Sequence, residues 1–504
     1  MEPKKAKILI FIVAYNAEVH ISSVLKRIPS HLFKKHECKI LIIDDSSKDN
    51  TFKEAKRFQK EDQENIDIEI LYNPDNLGYG GNQKLGYHYA IINNYDAVVL
   101  LHGDGQYAPE LVEDMILPII EKKADTVFGS RMMIKGNARK GGMPLYKFFG
   151  NKILTSLQNK LLKSNFSEFH SGYRAYSVEA LKKIPFERNS NDFDFDTDII
   201  IQLLLSKATI KEIPIPTYYG TEICHVNGFK YAFNILKSVI VSKLHAKYIL
   251  YQRKFDIGVQ EDNHYSLKLG YDSSHSKVIN RLNGTEKVLD LGCNCGYIGA
   301  KLKKKGCYVA GVDVFDLPDP KVLDEFYKVD LNLPASLPNM DQFDILLLLD
   351  VIEHINNPEQ LLDSIREKSK RSHPTLIMTT PNIAFLPMRI LLMLGMFNYG
   401  KNGILDLTHT RLFTYSSLLR TIKNAGYKIK VVSGIPAPFP KALNNTRFSR
   451  LLLALNKLFI KLSKRMFSYQ IYIEAIPTPT VNELLSYSIV HSKEKNTCEE
   501  LLMN

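Results

Sequence analysis

Apolar and polar positions follow each other along the first 130 residues in blocks that predict an alternation of strands and helices. Short apolar runs, typical of buried strands, are separated by longer segments with helical periodicity. The predicted strands are Lys7–Val13, Lys39–Ile43, Ile66–Tyr72, Ala97–Leu101 and Thr126–Phe128, and the predicted helices include Glu18–Ile28 and Asn50–Gln63. Such alternation predicts a mostly parallel sheet covered by helices.

The same alternation starts again at Lys287 and predicts a second, independent unit. Its predicted strands are Lys287–Leu291, Tyr308–Val312, Phe343–Leu349 and Thr375–Thr379, with helices at Ile298–Lys305 and Glu359–Lys368. We therefore predict an α/β protein with two doubly wound units. The predicted segments are a first domain at 1–235, a basic helical linker at 236–261, a second domain at 262–435, an amphipathic helix and strand at 436–478, and a flexible tail at 479–504.

Composition narrows the classes of partner. The 504 residues carry a formal charge of +12, which indicates either solubility alone or attraction to nucleotide diphosphates, lipid phosphates or an anionic membrane. We expect no nucleic-acid partner, because the basic residues are dispersed and no nucleic-acid motif is present. Six cysteines do not form a disulfide framework, which favours a reducing, cytoplasmic compartment.

No membrane span is predicted. We expect no signal peptide, and no apolar stretch reaches the ~18–20 residues that cross a bilayer. The predicted C-terminal helix, Lys441–Phe467, has leucines on one side and basic residues around it. It docks on the second domain or contacts a membrane peripherally.

Two acidic, glycine-containing segments follow predicted strands of the first unit. They are Asp44-Asp45-Ser46-Ser47 and His102-Gly103-Asp104-Gly105. Ligands of open α/β sheets bind beyond the carboxyl ends of the strands. A carboxylate there suits sugar transfer from a nucleotide diphosphate, since a divalent cation held by oxygen ligands offsets the charge that develops on the leaving diphosphate.

Residues 7 to about 235 closely resemble family-2 glycosyltransferases of the GT-A fold, above all their dolichol- and polyprenyl-phosphate sugar synthases. The two acidic segments carry the resemblance together with Phe11–Asn16, Asn76–Asn82, Gly129–Arg131, Ser171–Arg174 and Phe193–Asp198.

The resemblance implies a role for each matching residue. Tyr15 and either Asp44 or Asp45 hold the base and ribose of the donor, and Arg131 contacts donor or acceptor phosphates. Asp104, with Gln106 nearby, binds Mg²⁺ or Mn²⁺. His102 departs from the usual Asp-x-Asp, and imidazole is a poorer ligand for a hard cation, so the metal rests on Asp104, phosphates and water.

A general base is needed only for some acceptors. A sugar hydroxyl requires one, and Asp196 or Asp198 is the candidate, as base or as a contact to the sugar; capping of the following helix is the alternative. A phosphate acceptor is already an anion and needs no base. His225 is a further candidate for a phosphate contact or for packing.

The second unit contains a glycine-rich turn between a strand and a helix. Val288-Leu289-Asp290-Leu291-Gly292-Cys293-Asn294-Cys295-Gly296 is followed about 20 residues later by Asp313, a spacing that suits a cofactor with ribose hydroxyls. Residues 262–435 closely resemble class I S-adenosylmethionine-dependent methyltransferases. The match extends through Gly311–Asp313, Val329–Leu331, Asp350–Ile355, Thr380–Asn382 and Thr408–Thr414.

This second resemblance places the cofactor S-adenosylmethionine. It implies Asp290, Gly292 and Gly296 around the methionine moiety, Asp313 on the ribose, Asp330 near the adenine and Asp350 along the pocket. Asn294 stands where a glycine is usual, and Asn tolerates left-handed backbone better than most residues.

Further side chains of the second unit are candidates for activating the methyl acceptor. His354 and His409 are candidate bases for a hydroxyl acceptor. In some related O-methyltransferases an acid-x-x-Glu-His cluster binds a metal, and Asp350, Glu353 and His354 have that pattern. Capping and bracing of the next helix by Glu353 and His354 is the alternative.

We therefore predict a bifunctional transferase of envelope or polysaccharide biosynthesis. It transfers a sugar from a UDP- or GDP-sugar to a polyprenyl phosphate or glycan, and methylates a glycan hydroxyl or small acceptor. In one alternative the second domain serves only as a binding or scaffold module, because Asn294 alters the cofactor turn. In another the first domain is inactive, because of His102.

Overall fold

The computed structural model divides the chain into two compact units, Met1–Gln260 and Glu261–Asn504. It describes residues 5–61, 66–218, 228–246, 250–257, 267, 269–481, 483–485 and 488–489. His225 lies outside the described residues. Among the described residues, no helix is both long and apolar enough to cross a membrane.

The first unit is built on a seven-stranded sheet. Its strands are β1 Lys7–Ala14, β2 Glu37–Asp44, β3 Ile68–Tyr72, β4 Ala97–His102, β5 Thr126–Ser130, β6 Arg174–Ser177 and β7 Ile210–Pro214. Its helices are α1 Ile21–Lys26, α2 His31–Lys35, α3 Thr51–Glu61, α4 Tyr79–Ile92, α5 Val112–Ile120, α6 Asn137–Lys140, α7 Leu145–Leu162, α8 Val178–Lys182, α9 Phe195–Leu205 and α10 Gly228–Ala246.

Strand order in this sheet is β3-β2-β1-β4-β6-β5-β7. Only β6 runs antiparallel, to both of its neighbours. The central strands β1 and β4 are almost wholly buried, because helices cover both faces of a parallel sheet and leave no solvent side. The predicted doubly wound unit is therefore confirmed, with one strand reversed.

The second unit also has seven strands. They are β8 Lys287–Leu291, β9 Tyr308–Asp313, β10 Glu325–Lys328, β11 Ile345–Leu349, β12 Thr375–Pro381, β13 Tyr427–Ile435 and β14 Gln470–Pro477. Its helices are α11 Ser274–Arg281, α12 Tyr297–Lys305, α13 Pro358–Lys368, α14 Leu386–Met393, α15 Tyr415–Asn424, α16 Phe439–Ala442, α17 Arg447–Leu462 and α18 Lys464–Phe467. Strand order is β10-β9-β8-β11-β12-β14-β13, with β14 antiparallel to β12 and β13.

Two predicted segments differ from the observed units. The predicted linker begins inside α10, which buries Ile235 and Val239 and packs on α7 and α9 of the first unit. The predicted separate strand near the C-terminus is β14, which lies within the second sheet. The long helix predicted from Lys441 is divided into three. Asn444, with a positive φ of 60°, and the N-cap Thr446 separate α16 from α17, and the extended backbone of Ser463 separates α17 from α18.

Candidate active sites

The first cleft lies at the carboxyl ends of three adjacent strands, β2, β1 and β4. Ala14, the last residue of β1, is in register with Asp44 on one side, and its neighbour Val13 is in register with His102 on the other. Tyr15 follows directly and is 42% exposed. The topology therefore brings Tyr15, Asp44 and His102 to one edge of the sheet, where ligands of such sheets bind.

Asp45 holds the loop after β3 in place at this edge of the sheet. It accepts three hydrogen bonds of 2.8–2.9 Å from the segment 73–78, from the Asn73 side chain and from the backbone N–H groups of Leu77 and Gly78. Both carboxylate oxygens are therefore engaged within the protein, and the loop after β3 is fixed against the end of β2.

Asp44 has different surroundings. Its Oδ1 accepts the backbone N–H of Ser47 at 2.9 Å, whereas its buried Oδ2 has no hydrogen-bond partner in the described part of the chain. Burial raises the pKa of Asp44. A buried polar atom without a partner is costly, so of the two aspartates Asp44 is the one whose geometry suits a ligand.

Asp104 is the acidic side chain of the turn after β4. Its Oδ1 accepts the backbone N–H of Gln106 at 3.0 Å. His102 is enclosed by aromatic rings, with its ring centroid 4.9 Å from that of Tyr107 and 5.6 Å from that of Tyr79. Burial lowers the pKa of His102, so its imidazole is neutral near pH 7. Across the described first unit, no three His, Cys, Asp or Glu ligand atoms converge.

Arg131 follows β5 and forms a buried ion pair. Its Nη2 lies 2.5 Å from Oε1 of Glu168 and 2.9 Å from the carbonyl oxygen of His170. Burial alone would raise the pKa of Glu168, but Arg131 outweighs that effect and holds the pKa below its ordinary value. Any phosphate contact by Arg131 would therefore come from a guanidinium that Glu168 already positions.

Asp196 lies in a polar cluster that reaches the end of β4. Its Oδ2 accepts the Tyr79 hydroxyl at 3.0 Å, and its Oδ1 is 3.5 Å from Nη1 of the buried Arg174. The Tyr79 hydroxyl is also 3.5 Å from Nε2 of His102. Burial and the charge of Asp196 hold the pKa of Tyr79 well above its ordinary value. The Tyr79 hydroxyl therefore keeps its proton and lies between Asp196 and His102.

The role predicted for Asp198 is corrected by its surroundings. The residue is fully buried, and its two carboxylate oxygens lie 2.7 and 2.8 Å from Nζ of Lys254. Its Oδ2 also accepts the backbone N–H of Ser190. A base or a sugar contact must reach the substrate, whereas this carboxylate joins α9 to the turn that contains Lys254.

The second cleft begins with the turn between β8 and α12. Gly292 and Gly296 have φ angles of 83° and 72°, and Asn294 shares the left-handed region at 50°. A Cβ on Gly292 would lie 2.6 Å from the side chain of Val351, so the turn requires glycine there. The backbone N–H of Asn294 donates to Oδ2 of Asp313 at 2.7 Å, which joins this turn to the end of β9.

Asp290 is buried directly beneath the glycine-rich turn. Burial, with a smaller contribution from the charge of Asp313, raises the pKa of Asp290 to about 7. The carboxyl group therefore changes its charge near neutral pH, where a cationic ligand would favour its ionised form.

Asp350 and Asp330 lie beyond β11 and β10. Oδ1 of Asp350 accepts the Thr379 hydroxyl at 2.6 Å and the Gln470 side-chain amide at 2.9 Å, and the residue has a φ of 56°. Oδ1 of Asp330 accepts the backbone N–H of Asn332 at 2.9 Å. These aspartates therefore share the carboxyl edge of the second sheet with Asp290 and Asp313.

Glu353, His354 and His409 bring ligand atoms within 4.8 Å of one another. Nδ1 of His354 lies 3.2 Å from the carbonyl oxygen of Thr408, and Nδ1 of His409 lies 2.9 Å from that of Ile404. A carbonyl oxygen accepts only, so Nδ1 is the donor in each of these contacts, and in a neutral ring Nε2 is then the acceptor. Metal-ligating histidines are oriented in this way.

Comparison with known proteins identifies the first unit. Residues 9–185 match glycosyl transferase family 2, and residues 266–431 match a methyltransferase domain. Over 245 residues the chain is 31% identical to the UDP-N-acetylglucosamine–dolichyl-phosphate N-acetylglucosaminyltransferase of Methanococcus voltae, a match that spans 45% of this chain and 94% of that relative. The chain belongs to glycosyl transferase family 2.

Two more relatives match parts of this family 2 glycosyltransferase. The low-salt glycan biosynthesis hexosyltransferase Agl6 of Haloferax volcanii is 30% identical over 155 residues, 30% of this chain and 35% of that protein. The ubiquinone biosynthesis O-methyltransferase of Azoarcus sp. (strain BH72) is 23% identical over 159 residues, 30% of this chain and 67% of that protein. The glycosyltransferase thus carries a methyltransferase domain, and both predicted enzyme classes are confirmed.

Three groups at the sites of this family 2 glycosyltransferase were not predicted as site residues. Tyr79 and Arg174 belong to motifs that the sequence singled out, Asn76–Asn82 and Ser171–Arg174, so a signal was present. No sequence signal indicated Glu168, because its partner Arg131 is 37 positions away and ion pairs at that separation have no sequence pattern.

Proposed function

We propose that the first unit transfers a sugar from a UDP- or GDP-sugar to a polyprenyl phosphate or a glycan. The proposal rests on the buried oxygen of Asp44, which has no hydrogen-bond partner among the described residues and lies at the same sheet edge as Asp104. The relative from Methanococcus voltae, whose name specifies a nucleotide sugar and a dolichyl phosphate, supports the substrate classes.

In this proposal Asp44 and Tyr15 hold the nucleoside, and Asp104 with Gln106 holds Mg²⁺ or Mn²⁺. The residues fit such a cation only in part, since Asp104 is the one carboxylate of its turn and His102 contributes at most a neutral imidazole. The donor diphosphate and water would supply the remaining ligands. A cation bound there would offset the charge that develops on the leaving diphosphate.

The acceptor determines what the cluster of Asp196 does. The carboxylate of Asp196, which lies beside Arg174 and the Tyr79 hydroxyl, would accept a proton from a sugar hydroxyl. A polyprenyl phosphate attacks as an anion, and Asp196 would then orient the transferred sugar. Arg131, fixed by Glu168, would present its charge to a phosphate.

The test compares Asp104→Asn with Asp114→Asn, a matched change of an exposed aspartate on α5. Transfer of labelled sugar from UDP- and GDP-sugars to a polyprenyl phosphate is measured with Mn²⁺ present. We expect Asp104→Asn to lower the rate about a hundredfold or more, because charge stabilisation at the leaving group is lost, and Asp114→Asn to leave it unchanged. An undiminished rate for Asp104→Asn would contradict the proposal.

For the second unit we propose S-adenosylmethionine-dependent methylation of a hydroxyl on a glycan or small acceptor. The turn at 292–296 and the acidic ends of β8 and β9 fit the cofactor, because they combine a close backbone approach with carboxylates for its cationic and hydroxyl groups. Asp290, Gly292 and Gly296 would surround the methionine moiety, Asp313 the ribose and Asp330 the adenine, while Asp350 lines the pocket.

Glu353, His354 and His409 would assist the acceptor. Their ligand atoms, which lie within 4.8 Å of one another, could hold a divalent cation, which would lower the pKa of an acceptor hydroxyl. Without a cation, His354 is the candidate base. Burial lowers the pKa of His409, so its imidazole is neutral and suited to ligation. The named O-methyltransferase relative supports oxygen as the acceptor atom.

The setting we propose is the biosynthesis of envelope glycans or polysaccharides, and the named hexosyltransferase of glycan biosynthesis supports it. A cytoplasmic location is part of the proposal. The described cysteines Cys38, Cys293, Cys295 and Cys307 are all free thiols, as is usual in a reducing compartment.

A further inference from the structure

Residues 436–469 form an insertion between β13 and β14 that is not required for the pairing of these strands. Ile435, the last residue of β13, pairs directly with Gln470, the first residue of β14. Antiparallel neighbours can be joined by a turn of about two residues. The chain instead places α16, α17 and α18 between them, so the segment serves something other than strand pairing.

Helix α17 turns a mixed polar and apolar face inward. Its buried residues are Ser449, Asn456 and Ile460, and Leu452 and Leu453 are partly buried. Asn456 accepts the backbone N–H of Ala437 and donates to the carbonyl of Phe467, both at 2.9 Å, and Ser449 donates to the carbonyl of Asn444 at 2.7 Å. These bonds join the helix to the chain on either side of it, and the buried residues show which face is turned inward.

The opposite face of α17 is apolar and exposed. Five large side chains recur at spacings of three and four residues, which places them on one face. They are Phe448, Leu451, Leu455, Leu458 and Leu462, with exposed fractions of 41–74%. A helix that docks on its own domain turns such a stripe inward, whereas here the stripe points outward and forms a continuous apolar surface.

The charge of the same segment is of one sign. Residues 436–469 contain no Asp or Glu. Their basic residues are Lys441, Arg447, Arg450, Lys457, Lys461, Lys464 and Arg465. A second copy docking on this stripe would bring like charges together, and a nucleic acid would leave the leucines without a role. An anionic membrane surface matches both properties, because leucines enter the interface while basic side chains meet the headgroups.

We propose that α17 docks this protein on a membrane surface that contains anionic phospholipids. The five apolar side chains insert at the boundary between headgroups and acyl chains, and exposed basic residues beside them, such as Arg447 and Lys461, contact headgroup phosphates. This docking is separate from the two reactions proposed above, since it involves none of their candidate residues.

The test is flotation of the full-length protein with phosphatidylcholine vesicles, with and without phosphatidylserine, in the absence of nucleotide sugar, S-adenosylmethionine and polyprenyl lipid. We expect binding that needs phosphatidylserine and weakens as salt is raised. Leu455→Glu combined with Leu458→Glu should lower the affinity at least about tenfold, because apolar insertion is lost. The matched control is Leu333→Glu, an exposed leucine of the same unit outside the segment, which should bind like wild type.

A second pair of variants separates charge from apolar insertion. Arg447→Gln with Lys461→Gln should weaken binding at low salt and reduce its salt dependence. Circular dichroism of all variants should match wild type, because the changed side chains are exposed. Failure of the wild type to bind anionic vesicles would overturn the proposal. So would equal binding by the leucine variant, or a dimer in sedimentation that Leu458→Glu dissociates.

Discussion

At the scale of single residues, two consecutive aspartates at the end of β2 have opposite surroundings. Asp45 accepts three hydrogen bonds from the segment 73–78 and has both carboxylate oxygens engaged, whereas Asp44 keeps one buried oxygen without a partner among the described residues. The sequence did not decide which of the two aspartates contacts the nucleoside. The structure favours Asp44, because an occupied carboxylate has little capacity for a ligand.

Substitution by asparagine should separate the two residues. Asp44→Asn should weaken UDP or GDP binding about tenfold or more and leave thermal stability unchanged or higher, because it removes a buried charge. Asp45→Asn should instead destabilise the unit by about 1–3 kcal/mol, since an amide cannot accept all three hydrogen bonds. Titration calorimetry and thermal denaturation of both variants measure this. Normal nucleotide binding by Asp44→Asn would contradict the assignment.

A second residue-scale prediction concerns Asp290. Its pKa is raised to about 7 in the free protein, so the carboxyl is largely protonated at pH 6 and ionised at pH 8. A ligand with an ammonium group binds the ionised form better. The affinity for S-adenosylhomocysteine should therefore increase as pH rises through about 7 and then level off.

The control for this pH dependence is Asp290→Asn, which cannot ionise. We expect weaker and nearly pH-independent binding by the variant over the same range, measured by calorimetric titration at matched ionic strength. A wild-type affinity for S-adenosylhomocysteine that is the same at pH 6 and pH 8 would show that the ionisation of Asp290 does not affect binding.

At the scale of elements, strands with continuous apolar runs were predictable. The predicted and observed bounds of β1, β4, β8 and β11 agree closely, because strands buried on both faces consist almost wholly of apolar residues. β6 was not predicted, since Arg174-Ala175-Tyr176-Ser177 is short and has no such run. Its antiparallel direction depends on pairing with β4 and β5, which no local pattern encodes.

Helix α17 shows a different limit of sequence analysis. Its amphipathic pattern was evident, but periodicity shows only that a helix has two faces and not which of them meets the protein. The burial of Ser449, Asn456 and Ile460 in the structure shows that orientation. Likewise, the carboxyl edges of both sheets could be predicted as sites, whereas the burial of Asp198 against Lys254 and of Arg131 against Glu168 depends on residues far apart in the chain.

At the scale of the whole molecule, each unit has its own sheet, its own core and its own candidate cleft. The sites proposed for glycosyl transfer and for methyl transfer lie on different strands of different sheets. Ligand binding to one unit should therefore be removable without loss of the other. A bifunctional enzyme requires both ligand classes to bind, whereas a second unit that is only a scaffold would bind no S-adenosylhomocysteine.

Calorimetric titration of the purified protein measures both binding events, with S-adenosylhomocysteine in one experiment and with UDP or GDP plus Mn²⁺ in another. We predict one site for each ligand class. Asp104→Ala should lose nucleotide binding and keep S-adenosylhomocysteine binding, and Asp313→Ala should do the reverse. Absence of S-adenosylhomocysteine binding to the wild-type protein would contradict the account and leave the second unit as a scaffold beside an active glycosyltransferase.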